Sequence, residues 1–330
     1  KSTLFEIMTG VKGGGHHEAV VRGQASVPDD RFDRLVEIYK PAKATPAKIP
    51  FVDVHVTGEK PWEAVRQHLS GADGVVHIVD GFSLPDVGLV LDAYRRLEDE
   101  LMLSDLLVIE KKMERTAKLS KKAVSAQDAA QYEILPRLRE CLEGGKPLRA
   151  LGLTPAEKFL LRSFSFWTIK PELVVVNVAE ENLSFADRFA REAKLSEPVL
   201  GICCKIEAEL ARLDAAERKE FLSSLGVSEP AFGRIIRAAF SLLGRISFFT
   251  VGEDEVRAWV IPAGTKAPKA AGVIHNDFER GFIKAEVMHY DEFIAHGASA
   301  AQVKAAGLLH LEGKEYVVRD GDIINFRFHV

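Results

Sequence analysis

Short apolar runs rich in valine and isoleucine recur along the chain. Four of them read as buried strands, at residues 49–56, 74–81, 171–179 and 199–205. Nearly continuous apolar strands are typical of a parallel sheet covered by helices on both faces. Amphipathic helical patterns lie between the runs, at residues 32–39, 61–69 and 185–195. This alternation of strand and helix predicts an α/β fold.

One long region interrupts that alternation. Residues 89–122 follow a helical pattern in a strongly charged background, and Ser125 is placed to cap a second helix ending at Gly144-Gly145. Pro136 lies inside that second helix and is expected to kink it. The pattern favours an antiparallel coiled-coil arm inserted into the α/β domain. An ordinary helical subdomain packed on the core is the alternative.

The pattern changes again after about residue 245. Four further segments read as strands of a small mixed domain, at residues 246–251, 256–262, 281–290 and 314–330. The last is expected to be a hairpin turning at Asp320-Gly321. In its second half Ile324, Phe326 and Phe328 alternate with polar residues, as in a half-buried strand. The predicted domains are 1–85 with 171–245, then 86–170, then 246–330.

Length, net charge and cysteine content limit the classes of protein to which the chain can belong. A chain of 330 residues is long enough for two or three domains. Its net charge of -4 disfavours nucleic-acid binding through bulk charge, although a local basic patch is compatible with it. Cys141, Cys203 and Cys204 show no CxxC spacing, which predicts neither a disulfide framework nor a zinc site. With no long apolar span and no signal peptide in the sequence, we expect a cytoplasmic protein.

The first three residues are a candidate phosphate-binding motif. Lys1, Ser2 and Thr3 precede an amphipathic stretch, as at the end of a phosphate loop entering a helix. In such a loop the lysine reaches the β and γ phosphates and the next hydroxyl ligates magnesium. The tripeptide alone is also compatible with chance. If it is a phosphate loop, a strand and a glycine loop of about ten residues should precede Lys1.

Two strand ends carry further candidate residues. Asp53 lies near the end of the first apolar strand, where nucleotide switches place an aspartate that holds magnesium through water. Asn177, Val178 and Glu180 follow the strand at 171–176, where guanine-specific switches carry Asn-Lys-x-Asp. Replacing the lysine and the aspartate weakens the case for guanine and makes adenine plausible. A plain strand end at Asp53 and a plain loop at Asn177 are the alternatives.

The order of these motifs resembles the YchF (Obg-like ATPase) family of P-loop proteins. The similar stretches cover nearly the whole chain: residues 27–54, 103–115, 174–182, 202–214, 263–293 and 312–330. The resemblance implies a P-loop NTPase (G domain) with a parallel sheet, a helical coiled-coil insertion and a C-terminal TGS domain of the β-grasp, ubiquitin-like type. It further implies slow, Mg²⁺-dependent hydrolysis of ATP or GTP and association with ribosomes.

The resemblance also implies roles for individual residues of this chain, according to their positions in the family's motifs. Lys1, Ser2 and Thr3 correspond to phosphate contacts, and Ser2 and Asp53 to the Mg²⁺ site. The base would be bound by Asn177, Val178 and Glu180, with the backbone around Cys203 and Cys204 flanking it. The chain departs from the family where Asp53 is followed by Val-His-Val instead of x-x-Gly, and residues 11–28 contain no threonine. No residue is assigned as a catalytic base.

Two functions therefore remain open. The first is a nucleotide-binding regulator of translation that hydrolyses ATP or GTP slowly, acting as a monomer. The second is a non-hydrolysing relative that binds ribosomal RNA or protein through its arm and TGS domain. Basic residues of the arm would meet phosphate in that case: Lys111, Lys112, Arg115, Lys118, Lys121 and Lys122. His16, His17 and His55 are interpreted as loop histidines, with a metal site as the alternative.

Overall fold

A computed structural model describes most of the chain. The described residues are 1–12, 20–54, 66, 71–84, 86–118, 125–182, 184–224 and 229–329. The predicted helix 61–69 lies outside them apart from Arg66, as do His16, His17 and His55 and the two arm lysines at 121 and 122.

The described part of the chain contains both strands and helices, in no regular order along the sequence. The strands are β1 Val20–Ser26, β2 Lys43–Thr45, β3 Lys48–Val54, β4 Val75–Asp80, β5 Glu172–Asn177, β6 Val199–Ile202, β7 Arg245–Thr250, β8 Glu255–Pro262, β9 Phe282–Met288, β10 His310–Glu312 and β11 Ile323–Phe328. The helices are α1 Ser2–Thr9, α2 Asp30–Tyr39, α3 Val87–Ala117, α4 Ala126–Glu143, α5 Pro155–Leu161, α6 Phe185–Ala193, α7 Cys204–Leu210, α8 Ala215–Ser224, α9 Ala231–Leu242, α10 Ala267–Ile274, α11 Asn276–Arg280, α12 Tyr290–Ala295 and α13 Ala300–Ala305. They form two compact units, residues 1–23 with 52–235 and residues 24–51 with 236–330.

The first unit contains a parallel sheet in the order β4-β5-β6. Val174 and Val176 of β5 are fully buried, and they pack in one core with the start of α3 and with Phe189 of α6. This confirms the predicted α/β class. The carboxyl ends of the three strands, at Asp80, Asn177 and Ile202, share one edge of the sheet.

The strand predicted at 49–56 is β3, and its pairing was not as expected. Within the described part of the chain it pairs with β1 in a two-stranded sheet and forms no ladder with β4, β5 or β6. Its exposure alternates at its start, since Ile49 is buried between exposed Lys48 and Pro50. Such a strand is not covered on both faces, which its apolar composition alone did not reveal.

The helical insertion contains two long helices packed against each other. α3 has 31 residues and is about 46 Å long at 1.5 Å per residue. Ser125 caps α4 by accepting a hydrogen bond from the Asp128 amide at 3.0 Å, as predicted. Met102 and Ile109 of α3 share a core with Leu135 and Leu138 of α4. That core continues into α5 and its neighbours through Leu148, Leu153, Leu161 and Phe166.

The second unit contains a six-stranded mixed sheet in the order β10-β9-β11-β7-β8-β2. β9 and β11 pair antiparallel, and β11 and β7 pair parallel at Ile323 and Phe249. α10 packs on this sheet through Ala267, Ala270 and Ala271, which are fully buried. The predicted strands at 246–251, 256–262 and 281–290 are present as β7, β8 and β9.

The predicted hairpin at 314–330 is wrong. Residues 314–322, all of them described, contain no strand, and β11 pairs with β9 and β7 instead. The buried Asp322 carboxylate accepts hydrogen bonds from the Arg319 amide at 2.8 Å and from the Tyr316 hydroxyl at 2.7 Å. These side-chain bonds fold the segment locally, in competition with a ladder. Phe328, expected to face inward, is 38% exposed because the register shifts between Arg327 and Phe328.

No helix among the described residues is long and apolar enough to cross a membrane.

Candidate functional site

The first candidate residues lie at the start of α1. The helix packs through Leu4 and Phe5, which are buried, and its C-cap is Gly10 in the left-handed conformation. This packing fixes the N-terminus of the helix, where Lys1 is the N-cap and Ser2 the first helical residue. Amides at a helix N-terminus point outward and favour anions, especially phosphate.

Asp53 lies beside this helix start although it is far away in sequence. The Ser2 hydroxyl donates to Asp53 Oδ2 at 2.8 Å, and Lys1 Nζ lies 3.1 Å from Asp53 Oδ1. Lys1 Nζ also donates to the Val54 carbonyl. Asp53 is only 3% exposed, whereas the Lys1 side chain is 48% exposed. The structure therefore brings together an ammonium, a hydroxyl and a buried carboxylate, all three predicted from the sequence.

This group suits a magnesium-bound phosphate chemically. A serine hydroxyl and an aspartate carboxylate are the hard oxygen ligands that Mg²⁺ prefers, usually together with waters and substrate phosphates. The exposed ammonium of Lys1 can meet phosphate oxygens as a point charge. Ser2 and Asp53 already contact each other, with the Ser2 hydroxyl directed at the Asp53 carboxylate.

A second group of residues lies at the carboxyl edge of the parallel sheet. Asn177 Oδ1 accepts from the Cys204 amide at 3.0 Å, and the Val178 amide donates to the Ile202 carbonyl at 2.8 Å. These bonds join the end of β5 to the turn between β6 and α7, where Cys203 is the helix N-cap. Burial raises the pKa of the Cys204 thiol, which keeps it neutral and disfavours a role as a nucleophile.

A cavity of about 350 Å³ lies between these elements in the first unit. Three of the predicted residues line it: Thr3, Asn177 and Cys204. α1 packs against α7, which places the helix after Lys1 beside the helix after Cys203. Of the other predicted residues, Val178 is fully buried and Glu180 is exposed in a 3₁₀ turn.

Sequence reasoning missed several lining residues. They are Phe82, Lys205, Ala208, Glu209 and Arg212. Phe82 is 49% exposed and follows β4, at the same sheet edge as Asn177. Its amide and that of Ser83 donate to Asp80 Oδ1 at 3.0 Å, and these bonds lower the pKa of Asp80. An Asp-Gly-Phe sequence after an apolar strand was the available signal.

Comparisons with known proteins cover the full chain. A family model described as YchF-GTPase_C, a protein of unknown function, matches residues 245–329. The chain is 38% identical over 355 residues to the ribosome-binding ATPase YchF of Bacillus subtilis, covering 100% of this chain and 96% of that protein. It is 33% identical over 357 residues to Obg-like ATPase 1 of Rattus norvegicus, covering 100% and 89%. The structure of the Schizosaccharomyces pombe YchF GTPase superposes with a TM-score of 0.85 at 28% identity, covering 99% of this chain and 94% of that chain.

Proposed function

The chain belongs to the YchF family, and on that premise we propose that it is a purine-nucleotide-binding regulator that hydrolyses ATP or GTP slowly with Mg²⁺ and associates with ribosomes. The relatives named above include a ribosome-binding ATPase and a GTPase. The observation that carries the proposal is the contact of Lys1 and Ser2 with Asp53 at the start of α1. The division into a nucleotide-binding part (1–85 with 171–245), an arm (86–170) and a TGS-like domain (246–330) belongs to the same proposal.

Ser2 and Asp53 are the proposed holders of Mg²⁺. When bound, the ion would neutralise charge on the phosphates and help to orient them. The ammonium of Lys1 would help to neutralise the negative charge that develops on the β and γ phosphates, and the α1 amides would hold phosphate oxygens. The proposal assigns no residue as a base.

The base is proposed to lie in the cavity that Asn177 and Cys204 line. In guanine-specific switches an aspartate accepts hydrogen bonds from the guanine ring nitrogen and amino group. In this chain Glu180 stands where those switches have the aspartate, and its side chain is one methylene longer and exposed. Those switches also have a lysine that covers the base, and here the buried Val178 stands at that position. We therefore assign a preference for ATP over GTP. Phe82 offers an exposed aromatic ring at the same cavity.

Binding and turnover of both nucleotides by the full-length protein test this function. We expect Mg-ATP to bind in the micromolar range and to be hydrolysed at a measurable rate, with Lys1→Ala weakening binding at least about tenfold. Lys158→Ala is the matched control, since Lys158 is exposed on α5 in the helical insertion. Equal loss in both variants, or absence of binding by the folded protein, would contradict the proposal.

Glu180→Asp tests the nucleotide preference separately. The shorter carboxylate restores the guanine-recognising residue type, so the affinity for GTP relative to ATP should rise. Glu180→Ala controls for simple loss of the acid and should not favour GTP. If GTP binds the unaltered protein as tightly as ATP, the proposed preference is wrong while nucleotide binding stands.

An interaction module without hydrolysis is the second candidate. It is favoured by the exposed basic side chains near the end of α3, of which Lys111 and Arg115 form no ion pair with another described residue. Nucleotide binding without turnover, combined with ribosome binding, would select it. Both candidates place the protein in the cytoplasm as a monomer. Light scattering on the full-length protein measures its oligomeric state.

A further inference from the structure

Two histidines and a glutamate converge in the second unit, separate from the residues of the proposed nucleotide site. His289 is the N-cap of α12, Glu292 lies within α12, and His310 begins β10. One ligand atom of each lies within 4.8 Å of the others, and all three side chains are partly exposed. The His289 and His310 rings are 4.9 Å apart between centroids.

From this group we propose a binding site for a divalent transition-metal ion, with Zn²⁺ as the expected occupant. Two imidazoles and one carboxylate form a donor set that suits Zn²⁺ better than Mg²⁺ or Ca²⁺, which prefer oxygen ligands. Three protein ligands leave one tetrahedral position for water or for a side chain of a binding partner.

One of the three donor separations already matches such an ion, and the others lie within 4.8 Å. Tetrahedral bonds of about 2.0–2.1 Å place neighbouring ligand atoms about 3.3 Å apart. His310 Nε2 lies 3.4 Å from Glu292 Oε2, so this pair already has the required separation. β10 pairs with β9, His310 opposite Val287, which positions His310 beside the residue where β9 leads into α12.

A second set of contacts orients His289. Its Nδ1 lies 2.8 Å from Asp322 Oδ1, and the Asp322 side chain is 1% exposed. The other oxygen of Asp322 accepts from the Tyr316 hydroxyl and the Arg319 amide, so the carboxylate is held in place. This arrangement fixes the tautomer with the proton on Nδ1 and leaves Nε2 as the ligand atom. Carboxylates orient metal-binding histidines in the same way in known zinc sites.

Metal binding at this site depends on the position of the Arg319 side chain. Its guanidinium Nη1 lies 3.4 Å from His289 Nε2, on the side where the ion would bind. Arg319 is exposed, so its side chain can turn away into solvent. A metal ion therefore competes with the arginine, and removing the arginine should increase the affinity for the ion.

The buried group His77, Glu98 and Glu172 offers the same donor types but has a different environment. Arg149 Nη2 lies 2.5 Å from both Glu98 Oε2 and Glu172 Oε2. Its side chain is 12% exposed, so a positive charge is already enclosed among these carboxylates. No metal is proposed there.

Titration with Zn²⁺ tests the site. The experiment uses full-length protein without a polyhistidine tag, in a buffer that contains excess Mg²⁺. We expect one ion per chain, at least about tenfold weaker binding in His289→Ala and in His310→Ala, and tighter binding in Arg319→Gln. His275→Ala is the matched control, because His275 is an exposed histidine of the same unit outside the group. His310→Gln serves if an alanine variant proves unstable on thermal unfolding.

Co²⁺ substitution identifies the donor atoms independently of nucleotide hydrolysis. The absorption spectrum should show tetrahedral Co²⁺ with nitrogen and oxygen ligands and no charge-transfer band from a cysteine thiolate. The proposal is overturned if folded protein binds no Zn²⁺, if binding is unchanged in both histidine variants, or if the spectrum shows thiolate ligation. None of these outcomes bears on the proposed nucleotide site, whose oxygen ligands belong to other residues.

Discussion

Ser2 and Asp53 are 51 positions apart in the chain and in hydrogen-bonding contact in space. Asp53 is almost fully buried, and a buried carboxylate is costly unless it is paired and hydrogen-bonded. Ser2 and Lys1 supply that pairing. The same contact orients the hydroxyl and the ammonium before any ligand arrives, which reduces the ordering cost of binding.

Ser2→Ala should abolish most of the Mg²⁺ dependence of nucleotide binding. The variant loses the hydroxyl proposed as a metal ligand but keeps Lys1 and the helix N-terminus. We expect ATP affinity in Mg²⁺ to fall at least about tenfold, equivalent to about 1.4 kcal/mol. Ser2→Thr keeps the hydroxyl and should bind nearly as well. Calorimetric titrations with and without Mg²⁺ measure the effect, and equal behaviour of the two variants would rule out a metal-ligand role for Ser2.

Glu207 should make stability depend on pH. Its buried carboxylate accepts hydrogen bonds from the Ala231 amide at 2.9 Å and the Phe232 amide at 3.3 Å, at the start of α9. Burial raises its pKa above the usual 4.5. Its contribution to stability is therefore complete below about pH 4.5 and declines as pH rises through the raised pKa.

Glu207→Gln removes that titration while keeping an oxygen that can accept from Ala231. The free energy of unfolding of the variant relative to the unaltered protein should therefore increase from about pH 4.5 toward neutrality. Urea unfolding over a pH series measures this difference. Glu220→Gln, at an exposed position of α8, is the control and should show no such trend. A flat difference for Glu207→Gln would contradict the prediction.

At the scale of elements, the long helices of the insertion depend on their ends as well as on their shared core. The core of the pair consists mainly of Met102, Ile109, Leu135 and Leu138. α4 begins at Ser125, whose hydroxyl oxygen accepts from the Asp128 amide. A helix start leaves several amides without an intrahelical partner, and the cap satisfies one of them.

Ser125→Ala should destabilise α4 by about 1 kcal/mol, the typical cost of losing an N-cap. Ser125→Thr keeps both the acceptor at the cap and the hydroxyl that donates to Asp128 Oδ2 at 2.6 Å, and it should be close to neutral. Hydrogen exchange of the amides in the first turn of α4 measures the effect locally. Unchanged protection in Ser125→Ala would show that the cap contributes nothing to this helix.

Element types were more predictable than element pairing. β4, β5 and β6 were expected from continuous apolar runs, and α3 and α4 from their long helical pattern. β2 was not expected, because three residues with one small apolar side chain carry no periodic signal. β2 is a strand only because it pairs in parallel with Glu255, Val256 and Arg257 of β8.

At the scale of the whole molecule, the net charge of -4 does not show where exposed basic side chains lie. Lys112 and Lys118 on the distal part of α3 pair with Asp128 and Glu114 at 2.5 Å. Lys111 and Arg115 on the same part of the helix are exposed. If the arm contacts ribosomal RNA, Lys111 and Arg115 are two described cations of the arm that would replace counterions on phosphate.

Reversing both charges, Lys111→Glu with Arg115→Glu, should weaken co-sedimentation with ribosomes and reduce its salt dependence. Arg95→Glu with Arg96→Glu is the matched control, because it makes the same change at exposed positions near the other end of α3. The control should retain binding, and ATP affinity should be unchanged in both variants. Equal loss in the two variants would indicate a general charge effect and contradict a specific role for the distal arm.

The sequence by itself determined the α/β class, the two long helices and the candidate residues Lys1, Ser2, Asp53 and Asn177, because helix period, apolar runs and residue type are local properties. Tertiary structure decided which distant side chains meet. It paired β3 with β1, lined the cavity with Phe82 and Arg212, and placed His289 and His310 in one group. Local patterns carry no information about such pairings, since each is set by packing among segments remote in the chain.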